Sequence, residues 1–442
     1  MRLLQVVLCT GFLAFCSTRM HAQQGSAAWV PQVLGTQVNV IGQRIAPFPS
    51  PYAGPMSLTA GGDHSLSHTY GLYLGARLTV HVDGYLDVEM ARGTGISHAS
   101  GLAGVTNGDV LRQGTADLGN GPYVARAFLR FSQAVGEARD TVARNQDQLA
   151  GAVARTRLQI DAGKLAASDY FDLNRYANST RTQFLDWSLF NNTAWDFAAD
   201  TRGYTNGVTA AWVTPRWSMR IGSFQMPTQA NGNRFDPALD RARGDNAELT
   251  LTSSSGGVVR ILGFFNHARM GDYQAALDQG RATGTRPDIV ADDQPGRVKR
   301  GFGINAEQPL ADAGETGVFA RFGWDDGKTE SFAFSEVDRH ESIGAQVAGG
   351  RWKRADDRFG IAYVHHDISD VHRAYLAAGG NGFLLGDGAL TYGAEQFVES
   401  YYRAQVGSLL QVSPDVQYIR NPGYNRDRGP AWVSSLRLNI RY

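Results

Sequence analysis

The chain has 442 residues, and its 42 Lys and Arg balance its 42 Asp and Glu. Zero formal charge excludes a nucleic-acid binder, which needs a net basic surface. No stretch beyond residue 22 holds 18 consecutive apolar residues, which excludes a helical membrane protein. A 43 % apolar share with 10 % aromatics excludes a disordered chain.

In chain order, the first element is a targeting segment over residues 1–22. Arg2 supplies a positive start, and Leu3 to Phe15 is an apolar run of signal length. Cleavage is expected near Ala22–Gln23, with export by the Sec pathway. Phe15 before Cys16 argues against lipidation. Cys9 and Cys16, the two cysteines, both lie in this segment, so residues 23–442 form one domain without disulfides.

The next elements alternate. Tyr70, Leu72, Leu74, Ala76, Leu78, Val80 and Val82 interleave with Gly71, Tyr73, Gly75, Arg77, Thr79 and His81. Period two is a strand signal; the run exceeds the usual strand of about 5–6 residues and matches the roughly 9–11 residues that cross a bilayer at a tilt. Asp83-Gly84 predicts a tight turn. The same pattern predicts strands near 33–43, 68–82, 85–92, 123–135, 155–164, 204–214, 217–226 and 245–253. It continues with 258–268, 298–307, 317–325, 341–351, 358–366, 395–406, 409–420 and 431–442. Two are irregular: 258–268 is apolar on both faces, and Asn206 shares a face with Val208.

The connections sort by parity. Odd ones are long: 44–67, 93–122, 165–203, 227–244, 269–297, 326–340, 367–394 and 421–430. Even ones are mostly short, except 136–154, whose composition suggests helix. Such alternation is expected of an all-β, antiparallel transmembrane β-barrel of about sixteen strands, with long outer loops and short periplasmic turns. An even strand number places both termini in the periplasm. The alternation Leu436, Leu438, Ile440, Tyr442 ends the chain on an aromatic, similar to the terminal signal that barrel-assembly machinery reads in bacterial outer-membrane proteins.

In a water-filled barrel the polar face points inward. That puts Arg77, Arg126, Arg130, Arg157, Arg220, Arg321, Arg437 and Arg441 in the lumen. Asp87, Glu89, Asp161, Glu248 and Glu399 join them. Eight Arg against five acids predicts passage of neutral solutes with a mild preference for small anions. The third long loop, 165–203, carries eight large rings among many Asp, Asn and Arg residues. An exposed loop has no use for so much apolar surface, so it is expected to fold inward as the constriction. Rings stack on the C–H faces of a sugar, and carboxylates, amides and guanidinium groups bond its hydroxyls. Trp187 and Trp195 are the expected stacking residues; Asp169, Asp172 and Arg181 are expected at the hydroxyls.

Catalytic motifs of known spacing are missing from the sequence, so neither catalysis nor a cofactor is expected. His365-His366 point to opposite faces of a strand and cannot share a metal. Asp292-Asp293, Asp325-Asp326 and Asp356-Asp357 could hold calcium in a loop and read better as turn acids; no metal is expected.

Five stretches resemble the carbohydrate-selective porin family of the OprB type: Ser50–Leu58 (SPYAGPMSL), Gly104–Asp109 (GVTNGD), Asp169–Thr205, Val258–Leu277 (VVRILGFFNHARMGDYQAAL) and Ser413–Pro430 (SPDVQYIRNPGYNRDRGP). The resemblance implies a sixteen-stranded barrel in the outer membrane of a Gram-negative bacterium, for passive sugar uptake. The 136–154 connection departs from the simplest porin plan. Expected partners are carbohydrate solutes, outer-membrane lipid and lipopolysaccharide, and no nucleic acid. The sequence leaves a monomer and a homotrimer both open, as it does the sugar itself. Two other readings are a plugged adhesin barrel that binds through its outer loops and a barrel enzyme.

Overall fold

The computed structural model describes residues 30–111 and 118–442; the targeting segment lies outside the described residues. The first strands are β1 (Gln32–Ile45), β2 (Asp63–Arg77), β3 (Val82–Gly93), β4 (Tyr123–Ala134), β5 (Arg139–Val142) and β6 (Gly151–Ala154). Next come β7 (Arg157–Leu165), β8 (Thr205–Val213), β9 (Trp217–Gln225), β10 (Arg243–Thr252), β11 (Val258–Met270) and β12 (Gln294–Ala311). The last are β13 (Thr316–Asp325), β14 (Arg339–Ala348), β15 (Arg358–Asp367), β16 (Glu395–Val406), β17 (Leu410–Arg420) and β18 (Ala431–Arg441).

All but β5 and β6 close into one antiparallel barrel of sixteen strands, in which β18 pairs with β1. Closure leaves no open sheet edge, and in lipid an open edge would strand unpaired backbone groups. Each of the sixteen expected strands overlaps its observed counterpart. No described helix is long and apolar enough to cross a membrane.

Two connections differ from expectation. Asp83 and Gly84 do not turn; they pair with Arg77 and Ala76 inside the β2–β3 ladder. The turn is Leu78–His81, closed by Leu78 N–H and Thr79 N–H donating to the Val82 carbonyl. The Thr79 hydroxyl accepts from the His81 and Val82 amides, so a threonine holds the turn that the Asp-Gly pair suggested. The 136–154 segment is not helical: β5 and β6 pair as a two-stranded hairpin.

The outer face carries Leu66, Leu251, Ile261, Phe265, Ile343 and Trp432, all exposed in the isolated chain, as a lipid-facing surface must be. Both irregular strands now have a cause. On β11, Ile261 and Phe265 face outward, while Leu262 and Phe264 face inward and pack against Phe171 and Trp195 of the third loop. That strand is apolar on both sides because the third loop covers its inner face. On β8, Asn206 faces outward at the barrel rim and donates to the Gln225 side chain.

The third loop, 166–204, fills much of the lumen. Its Phe171, Tyr176, Phe184, Trp195 and Phe197 are each at most 2 % exposed. Buried backbone groups need partners, and the wall supplies them. Arg321 donates to the carbonyls of Leu189 (3.0 Å) and Ala177 (2.7 Å). Arg437 donates to Thr180 (2.8 Å) and Gln183 (2.7 Å). Glu399 accepts from the Leu185 and Asp186 amides, and Glu248 accepts from the Asp172 amide at 2.7 Å. Wall glycines make room: a Cβ at Gly323 or Gly303 would collide with Asn192 of the loop.

Candidate solute constriction

Beside the third loop the lumen keeps a cavity of about 560 Å³. One side is the loop itself: Asp169, Tyr170, Arg181, Trp187 and Phe190. The other is wall: Glu89 on β3, and Arg126 and Arg130 on β4. Asp109 of the second long loop, residues 146–148 between β5 and β6, and Arg202 and Tyr204 at the end of the third loop complete it.

Arg126 is the hub. Its Nε and Nη2 donate to the two carboxylate oxygens of Asp169 at 2.6 and 2.9 Å. Its Nη1 donates to Asp87 at 3.2 Å, Asp147 lies 3.5 Å away, and its guanidinium lies 5.2 Å from the Tyr204 ring centre. Arg181 is the second hub. Its Nε donates to Asp109 at 2.7 Å, and its Nη1 donates to Glu89 at 2.8 Å and to the Tyr73 hydroxyl at 3.1 Å. The Tyr204 hydroxyl donates to the other oxygen of Glu89 at 2.6 Å. Arg130 donates to Asp161 at 2.8 Å. Arg126, Arg130, Arg181 and Arg202 thus meet Glu89, Asp109, Asp147 and Asp169 around one cavity, four guanidinium groups facing four carboxyl groups.

Trp187 forms a partly buried wall, its ring 4.7 Å from Phe190 and 4.8 Å from Phe334. It opens a short helix, Trp187–Phe190, whose Ser188 amide donates to the capping Asp186 carboxylate; Asp and Ser are common at such positions because they satisfy free helix-start amides.

Of the five expected solute-binding residues, Asp169, Arg181 and Trp187 line this cavity. Trp195 and Asp172 do not. Trp195 is 1 % exposed; its indole N–H donates to Asn246 at 2.8 Å and its ring packs on Phe171 and Phe197. Asp172 is buried against Arg321 at 3.1 Å and accepts from the Asn192 amide at 2.6 Å. Both hold the loop to the wall.

The expected lumen residues separate in the same way. Arg126 and Arg130 line the cavity, and Asp161 stands behind Arg130. Glu248, Arg321, Glu399 and Arg437 point inward but are covered by the third loop, whose backbone they bind. Arg220 lies over the Tyr170 ring, 5.2 Å from its centre. Arg157 donates to the Ala154 carbonyl, and Arg77 pairs with Asp83 at 3.0 Å near the end where β1 begins. Arg441 shares a second hollow at that end with Arg358 and Arg403.

Residues that pattern reading missed are Asp109, Asp147, Arg202 and Tyr204. Asp109 ends the GVTNGD stretch, which was the available signal. Asp147 belongs to a turn-end segment that alternation cannot place in a lumen. Beyond the cavity, Asp292 and Asp293 pair with Arg297 and Arg269, and no group of metal-binding side chains occurs among the described residues.

A closed barrel whose long third loop folds inward to narrow a charged, ring-lined passage defines a porin. Residues 88–442 match the carbohydrate-selective porin, OprB family, and the chain belongs to that family. It is a passive sugar-uptake channel of the Gram-negative outer membrane, not an enzyme. The high-pH structure of Pseudomonas putida OprB is similar in fold, with a TM-score of 0.68 at 15 % identity over 93 % of this chain and 94 % of that one. The outer membrane channel DcaP of Acinetobacter baumannii gives 0.53 at 10 % identity, over 96 % and 100 %. Among curated proteins, sequence comparison finds no relative.

Proposed function

We propose that the sugar is recognised in the cavity beside the third loop. Asp169, Arg181, Arg126 and Glu89 bond its hydroxyls, and the Trp187 ring packs on its C–H face. The observation that carries this reading is the balance of four guanidinium groups against four carboxylates around one space. Fixed neighbouring donors and acceptors suit a neutral polyol, whose hydroxyls both donate and accept. Local balance also reduces the anion preference expected from the eight-to-five count of lumen charges.

The end carrying the short turns and both ends of the barrel chain faces the periplasm, and the long loops face outward, where they meet lipopolysaccharide. Residues 1–22 direct Sec export, and the strand ending in Tyr442 is read by the assembly machinery. Monomer and homotrimer both fit such a barrel.

The test is block of ionic current by glucose in a planar bilayer, compared between wild type, Trp187→Ala and Arg181→Ala, with liposome swelling for a series of sugars. The wild type should be blocked by glucose and both variants several-fold less. Equal block in all three would remove the cavity from the sugar path.

A further inference from the structure

The connection between β4 and β7 is far longer than a hairpin needs, since two to five residues suffice. It is not a decoration outside the barrel. Its tip, residues 143–150, turns back into the lumen. Gln146 Nε2 donates to the buried Asp87 carboxylate at 2.9 Å. Arg130 Nη1 donates to the Asp147 carbonyl at 2.8 Å, and the Asp147 carboxylate lies 3.5 Å from Arg126 Nε. Leu149 is 4 % exposed and packs among Leu34, Tyr73, Tyr85 and Phe128 of the surrounding wall. Within the same tip, Arg144 donates to the Val33 carbonyl at 3.0 Å and its guanidinium lies 5.0 Å from the centre of the Tyr442 ring.

Ordering a segment of this length costs conformational entropy at every residue. Here that cost is met by anchors of three kinds: an apolar plug, hydrogen bonds to wall charges and a tether to both ends of the barrel chain. The anchors hold Gln146, Asp147 and Gln148 against the same cavity that Asp169, Arg181 and Trp187 border from the third loop. The cavity therefore lies between two inserted segments that enter from opposite ends of the barrel.

We infer that this hairpin is a second selectivity element of the channel. It forms the exit side of the sugar cavity, its bulk limits the length of the saccharide that passes, and Gln146 and Asp147 contribute polar groups to the solute. A monosaccharide can turn past the tip, whereas a rigid chain of several sugar rings meets it end-on. The inference rests on the reading of the cavity as the sugar path.

The test replaces residues 139–154 by a Gly-Ser turn in the full-length protein, purified as a folded barrel. Single-channel conductance should rise at least twofold, and maltotriose should enter liposomes at a rate approaching that of glucose. A second variant, Leu149→Ser, frees the tip from its apolar seat without shortening the chain and should move both readings the same way by less. It decides the matter if the shortened chain does not fold. Wild-type conductance and a wild-type ratio of maltotriose to glucose swelling, in whichever variant folds, would overturn the inference. Glucose block of the intact channel is read separately: its absence would remove the cavity as the sugar site, while a blocked wild type with unmoved hairpin variants would remove only the hairpin.

Discussion

Arg126 and Asp169 meet fork to fork, with two parallel N–H···O bonds of 2.6 and 2.9 Å. The pair joins the wall to the third loop across the edge of the cavity. Bidentate charge-assisted pairs fix geometry as well as charge, so this contact sets how wide the passage stands. Asp169→Asn removes one negative charge while keeping the shape. In a salt gradient the reversal potential should shift toward chloride preference, and glucose block should weaken about tenfold, as for loss of one hydrogen bond to a charged group. An unchanged reversal potential would mean that Asp169 does not face the permeating ions.

The two tryptophans should behave differently. Trp187→Ala opens the cavity, so conductance should rise and glucose block should lose about 1–3 kcal/mol, the range for stacking on an aromatic. Trp195→Ala empties a packed site and should cost about 3–5 kcal/mol of stability. Heat denaturation of the folded barrel separates these outcomes, since Trp187→Ala should leave it nearly unmoved.

Asp172→Ala leaves Arg321 buried beneath the third loop without its carboxylate. Breaking one partner of a buried pair costs about 3–5 kcal/mol. The loop should then loosen, giving noisy open-channel current at unchanged strand content by circular dichroism. Quiet wild-type current would show that the remaining carbonyl contacts of Arg321 suffice.

Strand faces and orientation are open to direct tests. Ile261→Arg places a charge on the lipid face and should cost about 2–4 kcal/mol near the bilayer midplane; Thr250→Arg, on the inner face, should cost far less. Similar losses of folded yield would contradict the assigned faces. For orientation, Asp370→Cys in a long loop should react with an impermeant label on intact cells, and Val80→Cys at the opposite turn should not.

His372 stands in an outer-loop helix, Asp370–Ala377, with its ring stacked 4.2 Å from Tyr273. Burial alone would lower its pKa, but Asp338 at 3.2 Å and Glu336 at 3.6 Å outweigh that, and it is pushed up to about 9. A raised pKa means that the contribution is complete below about pH 6.5, declines above it, and is gone beyond about pH 9. The shift corresponds to at most about 3 kcal/mol. Hydrogen exchange over 271–293 and 368–394 should therefore quicken between pH 7 and 10 beyond its intrinsic pH dependence, and His372→Gln should remove that excess.

The barrel was legible in the sequence because lipid outside and water inside impose period two on every crossing strand. That alternation gave all sixteen strands, the inward side of the lumen charges and the parity of the loops. It was blind where the environment is not two-sided. On β11 the inner face meets the third loop instead of water, so its alternation vanishes. Arg321, Arg437, Glu248 and Glu399 share the inward parity of Arg126, and only the path of the third loop decides that they grip its backbone while Arg126 borders the cavity. Trp187 and Trp195 stand eight positions apart in one aromatic-rich loop; which ring faces the passage follows from contacts with Asn246, Phe334 and strands distant in sequence. The 136–154 segment has no periodicity that points into a lumen. Its placement depends on a pocket built by Leu34, Tyr73, Tyr85 and Phe128, which exists only once four strands are closed side by side.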